Sequence, residues 1–432
     1  MRRFAFAAGA LVLALASCGT SSEEPSAAPA TGGSAPAGGG SIDVVTRWTA
    51  GNSAAAAQKR VFDAFTAETG IKINLTEGLE AIDDQVETSV AAGKSPDLVI
   101  VNLFDKTVGW LDAGVTVPVD QYVKDWGLEG KIKPEALNEW KSAGGETQGL
   151  PYSGFSWPLW YNTELLTKAG VAAPPKTTDE LKDAAKKLRA AGIGPLTVGG
   201  NDWTGQKLFY QIAQSYTDAA SMQKVMQEGG YCSTPAVMKG IELFTDLRDS
   251  EVFVDNVAGL SADDMYASYY SGKAAIMSAG SWAYTESKAA GTGIETRTTL
   301  GGFPAASGGA YAKPTAYQGF TGVGFMITKQ GASPEKIDLV KQLVTRFYAD
   351  PTVGDFVKDS SILPPTTGDF ASFATDPLLK ASLGLDGTVD YAVLPDVWIG
   401  SASDPITTVL AGAYGKATPQ EICEGLDTAT QG

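Results

Sequence analysis

Between Ile42 and Val101 the chain keeps switching its hydrophobic period, and that switching constrains the fold more than any other feature. Ile42 to Trp48 is an apolar-rich extended run, followed by a turn at Gly51-Asn52. A stretch of helical spacing through Val61, Phe62 and Phe65 comes next and stops at Gly70. Ile71 to Leu75 alternates apolar and polar residues, a second helix forms around Val86 and Val90, and Pro96 to Val101 is a buried strand. Strands alternating with helices predict a parallel sheet covered on both faces. Ligands of such sheets sit beyond the carboxyl ends of the strands. That places Trp48 to Asn52 and Asn102 to Asp105 at the mouth of a cleft.

A second unit of the same kind begins after the stretch Gln148 to Val171. Gly149 and Pro151 punctuate its start, and the aromatic run Ser156 to Tyr161 suits a buried strand. Asn162 or Thr163 can cap a helix carrying Leu165, Leu166 and Ala169, with Gly170 as its stop. Thr177-x-x-Glu180 is a capping box opening a helix with Leu181, Ala184, Ala185 and Leu188 on one face. A short strand ends near Val198, before G-G-N-D-W, and Pro235 opens the helix bearing Val237, Ile241, Phe244 and Leu247. Tyr266 to Tyr284 reads as helix end, strand, turn and helix start. Gly319 to Thr328 is a strand, Pro334 starts another helix, and Thr418-Pro419-x-Glu421 caps the last one.

The first residues are of a different kind. Arg2 and Arg3 precede an apolar run, Phe4 to Ala16, too short for a stable membrane span, so residues 1–17 read as a secretory signal. Leu15-Ala16-Ser17-Cys18 has the form of a bacterial lipobox, which implies cleavage before Cys18 and acylation of its thiol. Acyl chains contribute about 0.8 kcal/mol per buried methylene, enough in combination to hold a protein on a membrane. Residues 18–41 are almost wholly Gly, Ser, Pro, Ala and Thr and read as a flexible tether.

With 33 basic and 49 acidic residues, the net charge of −16 argues against nucleic acid and anionic lipid surfaces as partners. No histidine is present, which removes Ser-His-Asp and Cys-His catalysis and histidine-containing zinc sites. Gly93-Lys94-Ser95 resembles the end of a phosphate loop, but Thr88 replaces the first glycine and a strand follows where a helix should. Adjacent acids at Asp83-Asp84 and Asp263-Asp264 look like solvated helix starts. Neither a metal nor a cofactor is indicated, and no catalytic residue. In an exported chain Cys232 and Cys423 are expected to form a disulfide, the alternative being two separate buried thiols.

Tryptophan placement says more. Sugars offer apolar C–H faces for aromatic rings and hydroxyls for Asp, Asn and Gln. Trp48, Trp203 and Trp282 all fall in turns after strands. Trp157 lies in the crossing strand, where core packing and ligand contact are equally open, while Trp110, Trp126, Trp140 and Trp160 are expected to pack in the core or on the surface.

G-L-P-Y at 149–152, then Y-N-T-E-L-L-T-K-A-G-V at 161–171, then Tyr266 to Tyr284, together resemble the extracellular solute-binding proteins of ABC transporters. Within these they are similar to the carbohydrate-binding family that includes the maltose-binding proteins. The resemblance implies an α/β fold of two lobes, each a mixed sheet flanked by helices, with a hinge of about three crossings between them. The first lobe would take 42–152 and about 315–362, and the second 153–314 and about 363–432. Trp282 matches the family's sugar-stacking tryptophan, Trp203 falls where a second aromatic is placed, and Asp105 matches the first-lobe acid. Asn52, Asp202, Gln318 and Trp398 are further candidates for the cleft lining. Indoles from opposite halves would then close over a neutral, hydroxylated guest. The implied partners are a mono- or oligosaccharide, the ABC permease, and the membrane through the N-terminal lipid on the extracytoplasmic face, with the protein itself a monomer and not an enzyme. Two rivals remain: a polyamine receptor of the same fold, and an extracellular glycan-degrading enzyme.

Overall fold

The computed structural model describes residues 39–49, 53–78, 82–385 and 387–431, with the side chain of Asp105 outside that description. The signal sequence, Cys18, most of the tether and Asn52 therefore lie outside the described residues. At the tether's end, Ser41 already belongs to the first strand, pairing with Lys72, because Gly40 offers its carbonyl to the Lys72 amide.

The first sheet contains the predicted strands β1 (Ser41–Thr46), β2 (Lys72–Glu77) and β3 (Leu98–Val101). β1 lies between β2 and β3, parallel to both. Gly70 ends the intervening helix Ala55–Thr69 at φ 70°, a left-handed conformation that costs glycine nothing. Two longer strands follow, β4 (Leu150–Trp157) and, much later in the chain, β9 (Thr315–Ile327). β9 runs antiparallel to β3 at one end and pairs with β4 along its length, so the sheet is mixed.

The second sheet contains β5 (Leu159–Asn162), β6 (Gly194–Thr197), β7 (Ala274–Ser278) and β8 (Thr298–Gly301), in the order β6-β7-β5-β8. Only Pro158 separates β4 from β5, so the chain steps from one sheet to the other within the predicted crossing stretch. Asn162 accepts the Leu165 amide as helix cap, and the Thr177/Glu180 capping box forms as the sequence requires. The Thr418/Glu421 box also closes at the start of the last helix, Pro419–Gln431.

β4 and β9 form a ribbon that leaves the first sheet towards the second, and its register slips twice between Pro151 and Phe155. A third segment meets it there, since Gly154 and Leu363 exchange both backbone hydrogen bonds at 2.8 and 2.9 Å. A Cβ at Gly154 would come within 2.8 Å of the Gly319 and Leu363 carbonyl oxygens, so only glycine lets three backbones converge. β10 (Asp390–Tyr391) adds to the near end of β9.

A disulfide joins Cys232 to Cys423 with Cα atoms 5.0 Å apart, tying the loop before helix Pro235–Asp249 to the last helix. The Asp427 carboxylate gathers the amides of Gly230, Tyr231 and Cys232 beside it, at 2.6 to 3.2 Å. Trp110, Trp140 and Trp160 are fully buried, and Trp126 stacks on Tyr122 at the core's edge, as expected for packing residues. No helix among the described residues is long and apolar enough to cross a membrane.

Candidate functional site

A cleft of about 640 Å³ opens between the elements of the two sheets. One wall is aromatic. Trp157, at the end of β4, Trp203, at the start of helix Trp203–Ala213, and Trp282, in the turn after β7, meet with ring centroids 5.3 to 5.8 Å apart. Phe155 adds an edge against Trp282 at 5.6 Å. Trp157 is only 1% exposed and donates Nε1–H to Ser278 Oγ at 2.9 Å, so it forms the floor. Trp203 is 41% exposed and lines the cleft. Trp282 is held from two sides. Its Nε1–H donates to the Tyr266 hydroxyl at 3.0 Å, and its ring folds back over Gly280, where a Cβ would sit 2.2 Å from the indole. Trp157 and Trp282, fixed in this way, keep their geometry without a ligand and support the ring of Trp203, which lowers the ordering cost of binding one.

Asp202 lines the cleft, yet its carboxylate is largely engaged. It caps its own helix through the Thr204 amide and hydroxyl at 2.9 and 2.8 Å, and accepts the Ala262 amide of the helix Ala262–Tyr270. One carboxylate thus sits at two helix N-termini, where backbone N–H groups favour negative charge. Burial nevertheless pushes its pKa up, against the effect of these donors.

The opposite wall is polar. Arg47, Asp83, Asp84, Asn102, Phe104 and Lys106 line it, all from turns or helix starts beyond β1, β2 and β3. Lys106 pairs with Asp84, and the Arg47 guanidinium lies over the Phe104 ring at 5.3 Å from its centroid. Trp48 lines the cleft but is 3% exposed, wedged against Tyr152 and Phe356 with centroids 5.8 and 5.0 Å away. The expectation of indoles facing each other across the cleft is therefore corrected. The three packed indoles belong to one wall, and the opposing tryptophan serves its own core.

Two further candidates fall outside the lining. Gln318 pairs with Ser156 in the ribbon, and strand alternation turns it to the face opposite Tyr317, which packs with Phe155 and Trp157. Trp398 packs against the main core, because the short helix Asp396–Ile399 turns Asp396 and Ile399 to the cleft instead. Asp105 opens the 3₁₀ turn Asp105–Gly109 at the polar wall.

Sequence reasoning missed Arg47, Lys106, Lys207, Glu286 and Asp396. Arg47 and Lys106 adjoin Trp48 and Asp105, so the strand-end rule that found those could have found these. Glu286 stands four residues after Trp282, one helical turn on, and burial with the charge of Asp263 lifts its pKa to about 7. Lys207 and Asp396 form an ion pair at the cleft's edge that no local pattern announces. No cluster that could hold a metal ion occurs among the described residues.

Residues 50–352 match the family of bacterial extracellular solute-binding proteins, and the chain belongs to it. The structure of a probable secreted solute-binding lipoprotein from Streptomyces coelicolor superposes with a TM-score of 0.80 at 35% identity, covering 91% of this chain and 98% of the other. That of a chitin oligosaccharide binding protein gives 0.74 at 24% identity, covering 90% and 98%, a likeness of fold alone. A probable sugar-binding periplasmic protein of Rhizobium meliloti is 27% identical over 254 residues, 57% of this chain and 59% of that protein. The chain spans 53% to 60% of the length of the Brucella, Rhizobium and Mesorhizobium relatives it matches. The fold is thus the two-lobe α/β fold of solute-binding proteins.

Proposed function

We propose that this protein is the capturing component of an ABC importer, binding a mono- or oligosaccharide in the cleft and passing it unchanged to the permease. The observation that carries this reading is the wall of Trp157, Trp203 and Trp282. Pre-set indole faces suit the C–H faces of a sugar ring, while hydroxyls can reach Asn102, Asn201, Asp83 and Glu286 around the rim. A micromolar site corresponds to about −8 kcal/mol, within reach of two stacked rings and a few hydrogen bonds.

Capture works by hinge closure in this reading. The first lobe comprises 42–152 with about 315–362, the second 153–314 with about 363–432, and the β4–β9 ribbon joins them. A guest settles on the aromatic wall, and the closed state adds contacts from the polar wall. Its differential affinity for that state shifts the population. Cys18 carries the acyl anchor and residues after it the tether, which keeps a monomeric receptor beside its permease on the outer face of the membrane.

Titration calorimetry and thermal shift across neutral mono- and oligosaccharides, with polyamines alongside, test the reading. At least one saccharide should raise the melting temperature, bind near micromolar, and be recovered intact. Binding of polyamines alone would replace the reading with a cation receptor, and loss of the saccharide during incubation would replace it with an enzyme.

A further inference from the structure

Helix Trp203–Ala213 presents Trp203 to the cleft, and along one face it and the residue capping it carry Lys207, Gln211 and Gln214. The spacing is i, i+4, i+7, the positions that normally face a core with apolar side chains. All three are buried. Each is matched to a polar group on the ribbon or on the segment after β10. Gln211 Nε2 donates to the Thr315 carbonyl at 2.7 Å. Gln214 accepts the Val393 amide at 2.8 Å and donates to the Val393 carbonyl at 3.1 Å. Lys207 pairs with Asp396, whose other oxygen accepts the Thr321 hydroxyl at 2.9 Å.

These three rungs are not equivalent. Thr315 and Val393 sit at the end of β9 where β10 pairs, towards the second sheet. Thr321 lies further along β9, between Gly319 and Gly322 and opposite the stretch of β4 whose register slips. Val397, next to Asp396, packs against the first-sheet cluster of Val99 and Val101. The Lys207–Asp396–Thr321 rung therefore spans the irregular part of the ribbon, and the other two lie to one side of it.

We propose that Lys207 and Asp396 are positioning residues: Lys207 holds the Asp396 carboxylate in place, and the bond from Thr321 to that carboxylate is a buried clasp across the hinge that fixes the angle at which the Trp203 helix faces the first sheet. An apolar contact there would hold the two parts together yet let them slide, whereas a buried hydrogen bond to an ion-paired carboxylate tolerates one geometry and penalises its loss. The inference does not depend on which solute the cleft takes.

The test uses ligand-free full-length protein. Removing one partner strands a buried charge and can prevent folding, so the primary variant is Lys207→Met with Asp396→Leu, which removes both charges. Small-angle scattering should give a larger radius of gyration than wild type at a nearly unchanged melting temperature. Amide exchange in 319–322 and 394–400 should quicken about tenfold, the change that accompanies about 1.4 kcal/mol. Lys207→Arg in otherwise wild-type protein, which keeps the ion pair, should leave both readouts at their wild-type values. Unchanged scattering and exchange in the double variant would overturn the proposal, because a merely structural pair would move only the melting temperature. If that variant does not fold, Thr321→Val decides: it leaves the ion pair and cuts its bond to β9, and a wild-type scattering profile there would equally overturn the clasp.

Discussion

The two walls of the cleft solve the same problem with different materials. On one side Trp157, Trp203 and Trp282 support one another through ring contacts, and the two inner indoles also have their N–H groups satisfied by protein. On the other side the lining carries charged side chains, Arg47 and Lys106 with Asp83 and Asp84, on turns and a helix start. Ring packing is rigid and insensitive to salt. Exposed ion pairs are adjustable, screened and individually worth about 0–1 kcal/mol. Under the proposed function the aromatic wall holds the guest and the polar wall adapts to it. The halves behind them differ as well, for the disulfide and the Asp427 clamp lie behind the aromatic wall.

The largest expected effect sharpens that last difference. The bridge closes a loop with a sequence separation of 191, which the chain-entropy argument values at about 5 kcal/mol as an upper figure. Replacing Cys232 and Cys423 by serine should lower unfolding stability by about 2–5 kcal/mol in a denaturant titration. Amide protection should fall behind the aromatic wall and not behind the polar one. Uniform loss across both halves would remove the contrast.

Within the aromatic wall, Trp157 and Trp203 should separate cleanly. Trp157→Ala empties a fully buried site and should cost about 3–5 kcal/mol of stability. Trp203→Ala removes a half-exposed ring. It should leave the melting temperature within a few degrees while weakening saccharide binding by about 2 kcal/mol, some thirtyfold, in calorimetry. If Trp203→Ala binds as well as wild type, the aromatic wall is core and not site.

Much of this contrast could be read before any coordinates. The period switches located β1, β2 and β3, and the caps at Asn162, Thr177 and Thr418 set helix starts, since both are local chemistry. Turns after strands led to Trp203 and Trp282 for the same reason. What stayed hidden depends on pairing register and packing. Strand pairing turned Gln318 off the cleft, helix phase turned Trp398 away while bringing in Asp396, and Trp48 was absorbed by Tyr152 and Phe356. Lys207 and Asp396 are 189 residues apart in the chain, and no window of local sequence relates them.

A pH titration probes the ribbon between the walls. Glu139 accepts the Phe320 amide at 2.5 Å, and burial, opposed by that bond and reinforced by Glu135, raises its pKa to about 7. A raised carboxyl holds its proton in the folded state after the unfolded chain has released it. Stability from this group is therefore present below about pH 4.5 and is lost as pH rises towards 7. The carboxyls of Asp120, Asp218 and Asp264 are lowered, chiefly by hydrogen bonds that outweigh burial, so their contribution has the opposite sign and changes only at more acid pH. Between pH 5 and 8 the denaturation free energy should drop by about 1–2 kcal/mol. Glu286 and Asp202 are raised as well and share this slope, so Glu139→Gln should reduce it without abolishing it, and an unchanged slope would mean that the ribbon carries none of it.

The smallest effect belongs to the polar wall. Lys106 and Asp84 are both more than half exposed or close to it, so their pairing is strongly screened. Lys106→Ala should change saccharide affinity less than about fivefold, and any change should fade at high salt. Salt response is the discriminating readout, since loss of a direct hydrogen bond to a neutral guest would survive salt while loss of an ion pair would not. A large, salt-insensitive defect would place Lys106 on the guest itself. The division of labour between a wall that grips and a wall that adapts would then have to be redrawn, with the polar side carrying as much of the recognition as the indoles.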